Sequence, residues 1–208
     1  MNSILERICE LKLVPVVKIE KAEDAVPLGQ ALMAGGLPLA EITFRTDAAE
    51  AAIRDLSKLL PEMLIGAGTV TTIDQVNKAI DAGARFMVAP GFNPKVVDYC
   101  LENKILIVPG INSPSQIEQG LERGLSVLKF FPAEASGGLK LLKAMAEPYS
   151  GVNFIPTGGI DASNLRDYLA FKRVAACGGS WFVKANLISA GRFDEITRLT
   201  REAMSLIN

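Results

Sequence analysis

Short apolar runs recur along this chain, with polar-patterned segments between them. "LVPVVKI" begins at Leu13, "LAEITF" at Leu39, "LIGAGTV" at Leu64 and "FMVAPG" at Phe86. The series continues with "ILIVPGI" from Ile105, "LSVLKFF" from Leu125, "NFIPTGGI" from Asn153 and "RVAACGGSWF" from Arg173. Short, nearly continuous runs rich in Val, Ile and Phe suit strands covered on both faces, as in a parallel sheet. The segments between them, such as "DAAEAAIRDLSKLL" and "IDQVNKAIDAG", place apolar residues at helical spacing. Eight strand–helix units starting every 19 to 28 residues predict an α/β fold, specifically a closed (β/α)8 TIM barrel. An open doubly wound sheet alternates strands and helices too, but no GxGxxG follows the first strand and the unit count is eight. "SILERICELK", ahead of the first strand, is expected to form an extra N-terminal helix closing the bottom of the barrel. No linker, low-complexity stretch or charge block divides residues 1–208, which are expected to form a single domain.

Composition narrows the chemistry. With 208 residues, 49% of them hydrophobic, and a net charge of −1, the chain can bury a full core and has no charge bias toward nucleic acid. Cys9, Cys100 and Cys177 lie far apart and form no CxxC pair, so neither a disulfide framework nor a cysteine metal site is expected. That usage fits a reducing, cytoplasmic setting. No apolar stretch reaches the length of a membrane span, and the N-terminus has no targeting pattern. Histidine is absent altogether, which excludes His-based triads, His-ligated zinc and imidazole general bases. Acid–base chemistry must come from carboxylates, lysine, tyrosine, cysteine or water.

In a barrel the functional face lies at the C-terminal ends of the strands. The residues expected there are Glu41 and Arg45 on the second strand, Thr69 on the third, Pro90 on the fourth, and Lys129 and Phe131 on the sixth. The seventh strand ends in Thr157, Gly158 and Gly159, and the eighth in Gly178, Gly179 and Ser180. Loops after strands seven and eight commonly hold phosphate, because glycines let backbone N–H groups approach the anion and a serine hydroxyl adds a donor. A lone glycine pair is ordinarily turn punctuation; two pairs ending adjacent strands favour a phosphate site.

Lys129 stands inside an apolar strand, where burial disfavours the charged form of an amine. It reads either as a nucleophile that forms a Schiff base with a ketone, or as a strand-end lysine paired to a carboxylate. Lys18, at the end of the first strand and also read as strand-embedded, is its rival for the nucleophile's role or an electrostatic helper to it. Glu41 in "LAEITFR" is the leading acid–base candidate; the alternative is a structural ion pair with Arg45, four residues on. Arg45 could equally clamp a substrate carboxylate through its planar fork. Phe131, two residues beyond Lys129, should face the same side of the strand and wall the pocket, or be plain core.

Seven blocks, "LAEITFRT", "IGAGTV", "APGFNP", "IVPGINSPSQI", "LKFFPAEASGG", "IPTGGI" and "GGSWFV", together resemble the 2-keto-3-deoxy-6-phosphogluconate (KDPG) aldolases. The resemblance implies a class I aldolase on a (β/α)8 barrel, usually a homotrimer, cleaving KDPG to pyruvate and glyceraldehyde 3-phosphate in the Entner–Doudoroff pathway. It implies activity on 4-hydroxy-2-oxoglutarate as well, and no metal or cofactor. By position it implies Lys129 as the Schiff-base residue and Glu41 as the acid–base residue. Arg45 and Thr69 become carboxylate binders, Pro90 and Phe131 pocket walls, and Thr157 a contact to substrate hydroxyls. Gly158, Gly159, Gly179 and Ser180 resemble the phosphate site. Galactonate-specific relatives carry valine in place of Thr157, so the gluconate epimer is favoured. Phe44 replaces an expected leucine and should point away from the pocket. Two other readings remain: a pyridoxal-phosphate pocket built on the same lysine and anion cradle, and a non-catalytic sugar-phosphate binder.

Overall fold

The computed structural model describes residues 3–207. Its strands are β1 (Leu13–Val17), β2 (Leu39–Thr43), β3 (Leu64–Gly68), β4 (Phe86–Val88), β5 (Ile107–Val108, resuming as Gly110–Ile111), β6 (Val127–Phe130), β7 (Asn153–Pro156) and β8 (Cys177–Gly179). Every predicted run contributes a strand, each shorter than the run that announced it. All pairings are parallel. One series runs β5–β4–β3–β2–β1–β8, and a second joins the far piece of β5 to β6 and β7. Isolated bridges from Phe154 to Val174 and from Thr157 to Gly178 link the β7 side to the β8 side, so the parallel sheet curls round upon itself.

The break in β5 has a local cause. Pro109 has no N–H to donate, so the strand changes partners around it. Ala89 N–H donates to the Val108 carbonyl on the β4 side at 3.2 Å, and Lys129 N–H donates to the Pro109 carbonyl on the β6 side at 2.9 Å. Gly110 follows, and the Pro90 carbonyl lies where its Cβ would be, 2.3 Å from that position. Any side chain there would push the ends of β4 and β5 apart.

Helices on the outside cover the apolar runs. Ala49–Leu59 and Ile73–Asp81 coincide with the two amphipathic segments read in the sequence, and Ser3–Leu11 with the extra N-terminal one. Ser3–Leu11 buries Leu5, Ile8 and Leu11, and Ile8 reaches the base of the space enclosed by the sheet. Thr72 caps the helix Ile73–Asp81 by accepting from Gln75 N–H, and Asn93 caps Pro94–Glu102 by accepting from Lys95 N–H. Among the described residues no helix is long and apolar enough to cross a membrane.

Candidate active site

The interior of the curled sheet is a small space lined by Val14, Glu41, Phe86, Val88, Val108, Lys129, Ile155 and Thr157, with Ile8 beneath. Six strands contribute those side chains. The other two contribute glycines. On β3, a Cβ at Gly66 would sit 2.2 Å from the Phe86 ring, and one at Gly68 would sit 2.2 Å from Glu41 Oε1. On β8, a Cβ at Gly178 would meet Thr157 Oγ1 at 2.3 Å. Neighbouring side chains lean across these bare backbones, which is how a carboxylate, a lysine and an aromatic ring share so narrow a space.

Within it Lys129 Nζ lies 3.6 Å from Glu41 Oε1, and the two residues are 5% and 2% exposed. Register explains the meeting: Glu41 pairs with Val16 and Gly66, and Lys129 with Gly110 and Ile155, so both sit inside the strand region rather than in loops. Glu41 Oε1 has no hydrogen-bond partner among the described residues. Burying two charges costs several kcal/mol per ion, and a buried acceptor left open adds to that. Such a pair is a costly structural ornament and a useful reactive one: a nitrogen nucleophile beside a carboxylate with unspent accepting capacity. The Phe131 ring centroid stands 5.1 Å from Lys129 Nζ, presenting an aromatic face to the amine. Phe131 also lines a cleft of about 220 Å³ with Pro90, Gly110 and Ile111.

Of the residues read from the sequence, Glu41, Lys129 and Thr157 converge in the interior, with Phe131 beside them. Arg45 lies at the rim. It is exposed, its Nε donates to Thr43 Oγ1 at 3.0 Å, and Thr43 Oγ1 donates in turn to the Val17 carbonyl at 2.7 Å. Its bond to Thr43 engages Arg45 through Nε and leaves the Nη groups for other acceptors. Glu41 is paired with Lys129, so the alternative of a Glu41–Arg45 ion pair is not the arrangement found. Thr69, just past β3, has φ of 58°, a left-handed conformation that is unfavourable for a β-branched residue. Strain of this sort persists where the surrounding structure imposes it and gathers at working sites. Phe44 lies partly buried in the turn after β2 and lines a groove with Arg45, Gln75 and Lys78.

One reading needs correction. Lys18 lies beyond the end of β1, its side chain is 42% exposed, and its Nζ pairs with Glu20 Oε1 at 2.6 Å. It is a solvated rim lysine, because the apolar run that suggested burial outlasts the strand. The two glycine pairs differ in backbone conformation. Gly158 and Gly159 have φ of 96° and 81° and form a true loop after β7. Gly178 and Gly179 end strand β8 itself, and a Cβ at Gly179 would lie 1.9 Å from the Trp181 ring. Their bareness serves side-chain space, and Ser180 follows, exposed, at the strand's end.

Gly66 and Gly68 were not singled out in the sequence, although a glycine inside a strand is itself a signal of close approach. Burial pushes the Cys177 thiol up to about 12, the Cys100 thiol up to about 11 and the Cys9 thiol above its usual value, which disfavours the thiolate at all three. Among the described residues no cluster of three or more His, Cys, Asp or Glu side chains is placed to hold a metal ion.

Comparison with known proteins agrees with this geometry. The family model described as "Aldolase: KDPG and KHG aldolase" matches residues 4–199. A Haemophilus influenzae protein named 2-dehydro-3-deoxy-phosphogluconate aldolase is 51% identical over 99% of this chain and 97% of its own length. A Treponema pallidum protein of the same name is 48% identical over 100% of this chain and 99% of its own. Among solved structures, the Legionella pneumophila KDPG aldolase, with pyruvate captured as a covalent carbinolamine intermediate, superposes with a TM-score of 0.89 at 40% identity, covering 91% of this chain and 92% of that one. The Zymomonas mobilis enzyme with 3-phosphoglycerate gives a TM-score of 0.90 at 37% identity, covering 97% of this chain and 95% of that one. The chain therefore belongs to the KDPG and KHG aldolase family.

Proposed function

We propose that this chain is a class I aldolase that cleaves KDPG to pyruvate and D-glyceraldehyde 3-phosphate, and 4-hydroxy-2-oxoglutarate to pyruvate and glyoxylate. The observation that carries the reading is the buried pair of Lys129 and Glu41, 3.6 Å apart, with Glu41 Oε1 left without a hydrogen-bond partner among the described residues. Family membership and the pyruvate adduct of the Legionella relative support it.

In this reading the Lys129 amine adds to the C2 ketone of the substrate, and loss of water leaves an iminium. Glu41 takes the proton of the C4 hydroxyl. The O–H electrons form the aldehyde C=O, the C3–C4 bond breaks, and its electron pair passes into the iminium to give an enamine. The aldehyde departs, Glu41 returns its proton to C3, and water hydrolyses the resulting imine to pyruvate and free Lys129. The iminium is the electron sink, so neither a metal nor a cofactor is required. The low exposure of Lys129 and Glu41 limits competing water at the imine, with the Phe131 ring as one wall.

The remaining roles follow position. Arg45 and Thr69 at the rim bind the substrate carboxylate, Pro90 and Phe131 form the walls of the approach, and Thr157 Oγ1 meets a substrate hydroxyl. Gly158 and Gly159, whose left-handed backbone can turn N–H groups outward, hold the phosphate with Gly179 and Ser180. The scaffold is read as a single (β/α)8 barrel domain with Ser3–Leu11 as its extra helix, supported by the curled parallel sheet and the two bridges between β7 and β8. The setting is cytoplasmic, the partner a small-molecule substrate rather than nucleic acid or membrane, and the assembly a homotrimer.

The test is release of pyruvate from KDPG by the purified protein, with and without EDTA. Turnover undiminished by EDTA is expected. Absence of turnover, or loss with EDTA restored by added metal, would overturn the reading.

A further inference from the structure

One pair outside the catalytic chemistry is tied to its loops by several contacts. Immediately after β6 the chain forms a short turn of helix, Ala133–Ser136, whose first two N–H groups donate outward instead of into the helix. Ala133 N–H donates to the Thr157 carbonyl at 2.8 Å, and Glu134 N–H to the Gly158 carbonyl at 3.0 Å. The Glu134 side chain then lies flat over Gly159, where an added Cβ would be only 2.6 Å from both Cβ and Cγ of Glu134. Its carboxylate accepts a hydrogen bond from the hydroxyl of Tyr168, a residue of the helix Leu165–Leu169 that is 1% exposed. Gly138 completes the fit, since a Cβ there would meet Glu134 Oε1 at 3.0 Å and the Tyr168 hydroxyl at 3.4 Å. From the far side Asn164 Nδ2 donates to the Gly159 carbonyl at 2.9 Å.

We infer that Glu134 and Tyr168 are positioning residues that fix the Gly158–Gly159 turn, and through it the phosphate end of the substrate, relative to Lys129. The inference rests on the phosphate reading of Gly158 and Gly159 proposed above. Glu134 is only five residues from Lys129, so a rigid Glu134–loop contact sets the distance between the imine nitrogen and the anion cradle. Burial, and then the Glu134 carboxylate, push the Tyr168 phenol above its usual range, so it remains a donor throughout the working pH. The carboxylate binds Tyr168 on one side and packs on Gly159 on the other. Nothing in the chemistry at C2 to C4 requires it.

This separates two substrates. KDPG carries the phosphate that the loop would hold; 4-hydroxy-2-oxoglutarate lacks it. Tyr168→Phe removes the hydroxyl and keeps the packed ring, and should raise KM for KDPG about tenfold, as expected for one lost charge-assisted hydrogen bond. Its kcat for KDPG, its kcat/KM for 4-hydroxy-2-oxoglutarate and pyruvate trapping on Lys129 should all stay within about twofold of wild type, since the bond acts on the anion end only. Glu134→Ala should behave in the same way, and Glu134→Gln, which keeps an oxygen acceptor, should recover most of the loss. Equal decline on both substrates together with a lower Tm would show a merely structural pair and overturn the inference; so would unchanged KDPG kinetics in both Tyr168→Phe and Glu134→Ala. Failure of the underlying phosphate reading shows separately, in the wild type: inorganic phosphate would then not compete with KDPG.

Discussion

Two sets of opposite charges in this molecule follow opposite rules. On the outer helix Phe193–Ser205, Arg198 reaches Glu195 at 2.7 Å and Glu202 at 2.5 Å, with Arg198 and Glu202 exposed and Glu195 partly buried. In the interior, Lys129 and Glu41 stand 3.6 Å apart, almost wholly buried, with an acceptor left open. The surface network satisfies its hydrogen bonds where water would have satisfied them anyway, so it adds little. The interior pair is incompletely satisfied where satisfaction is worth most. Leaving capacity unspent inside a core makes sense when a substrate supplies the missing partner.

The difference can be pressed hardest at Glu41. Glu41→Gln keeps the shape and removes the proton acceptor; kcat for KDPG cleavage should fall by about 10²- to 10⁴-fold, while the protein still forms the pyruvate imine. A smaller loss would move the acid–base role to another group. Next is Gly68, whose added Cβ would fall 2.2 Å from Glu41 Oε1. Gly68→Ala should displace the carboxylate and lower kcat by about 10²-fold, the usual consequence of misplacing a reacting group by an ångström. Retained kcat would mean that Glu41 acts from a position the glycine does not set.

Stability should move the other way. Replacing both partners, in Lys129→Met with Glu41→Gln, removes two buried charges together and should leave the inactive protein as stable as wild type, or more stable by about 1–4 kcal/mol in urea unfolding. A clear destabilisation would mark the pair as structural. The smallest effect belongs to the surface: Arg198→Ala should change neither cleavage rate nor Tm measurably, and a marked fall in Tm would erase the contrast between the two regions.

The sequence made the frame legible for a physical reason. Strands buried on both faces must be apolar, and all eight runs, from "LVPVVKI" to "RVAACGGSWF", contain one. Lys129 and Glu41 stood out because a charge in such a run breaks the rule. The same rule misled at Lys18, where the run continues past Val17 but the strand does not. Gly66 and Gly68 matter through what leans across them, and the leaning side chains, Phe86 and Glu41, come from other strands. Likewise, the pairing of Glu134 with Tyr168, 34 positions apart, exists only once the loops after β6 and β7 are packed together. The glycine pairs looked equivalent in one dimension because a dipeptide does not say whether its bareness serves φ or space.

The most direct test of Lys129 as the covalent centre is to incubate the wild-type protein with pyruvate and sodium borohydride and locate the reduced adduct by peptide mass spectrometry. A single adduct on Lys129, absent from Lys129→Met, is the expected result. Labelling of the solvated Lys18 instead, or no adduct from protein that still cleaves KDPG, would contradict it.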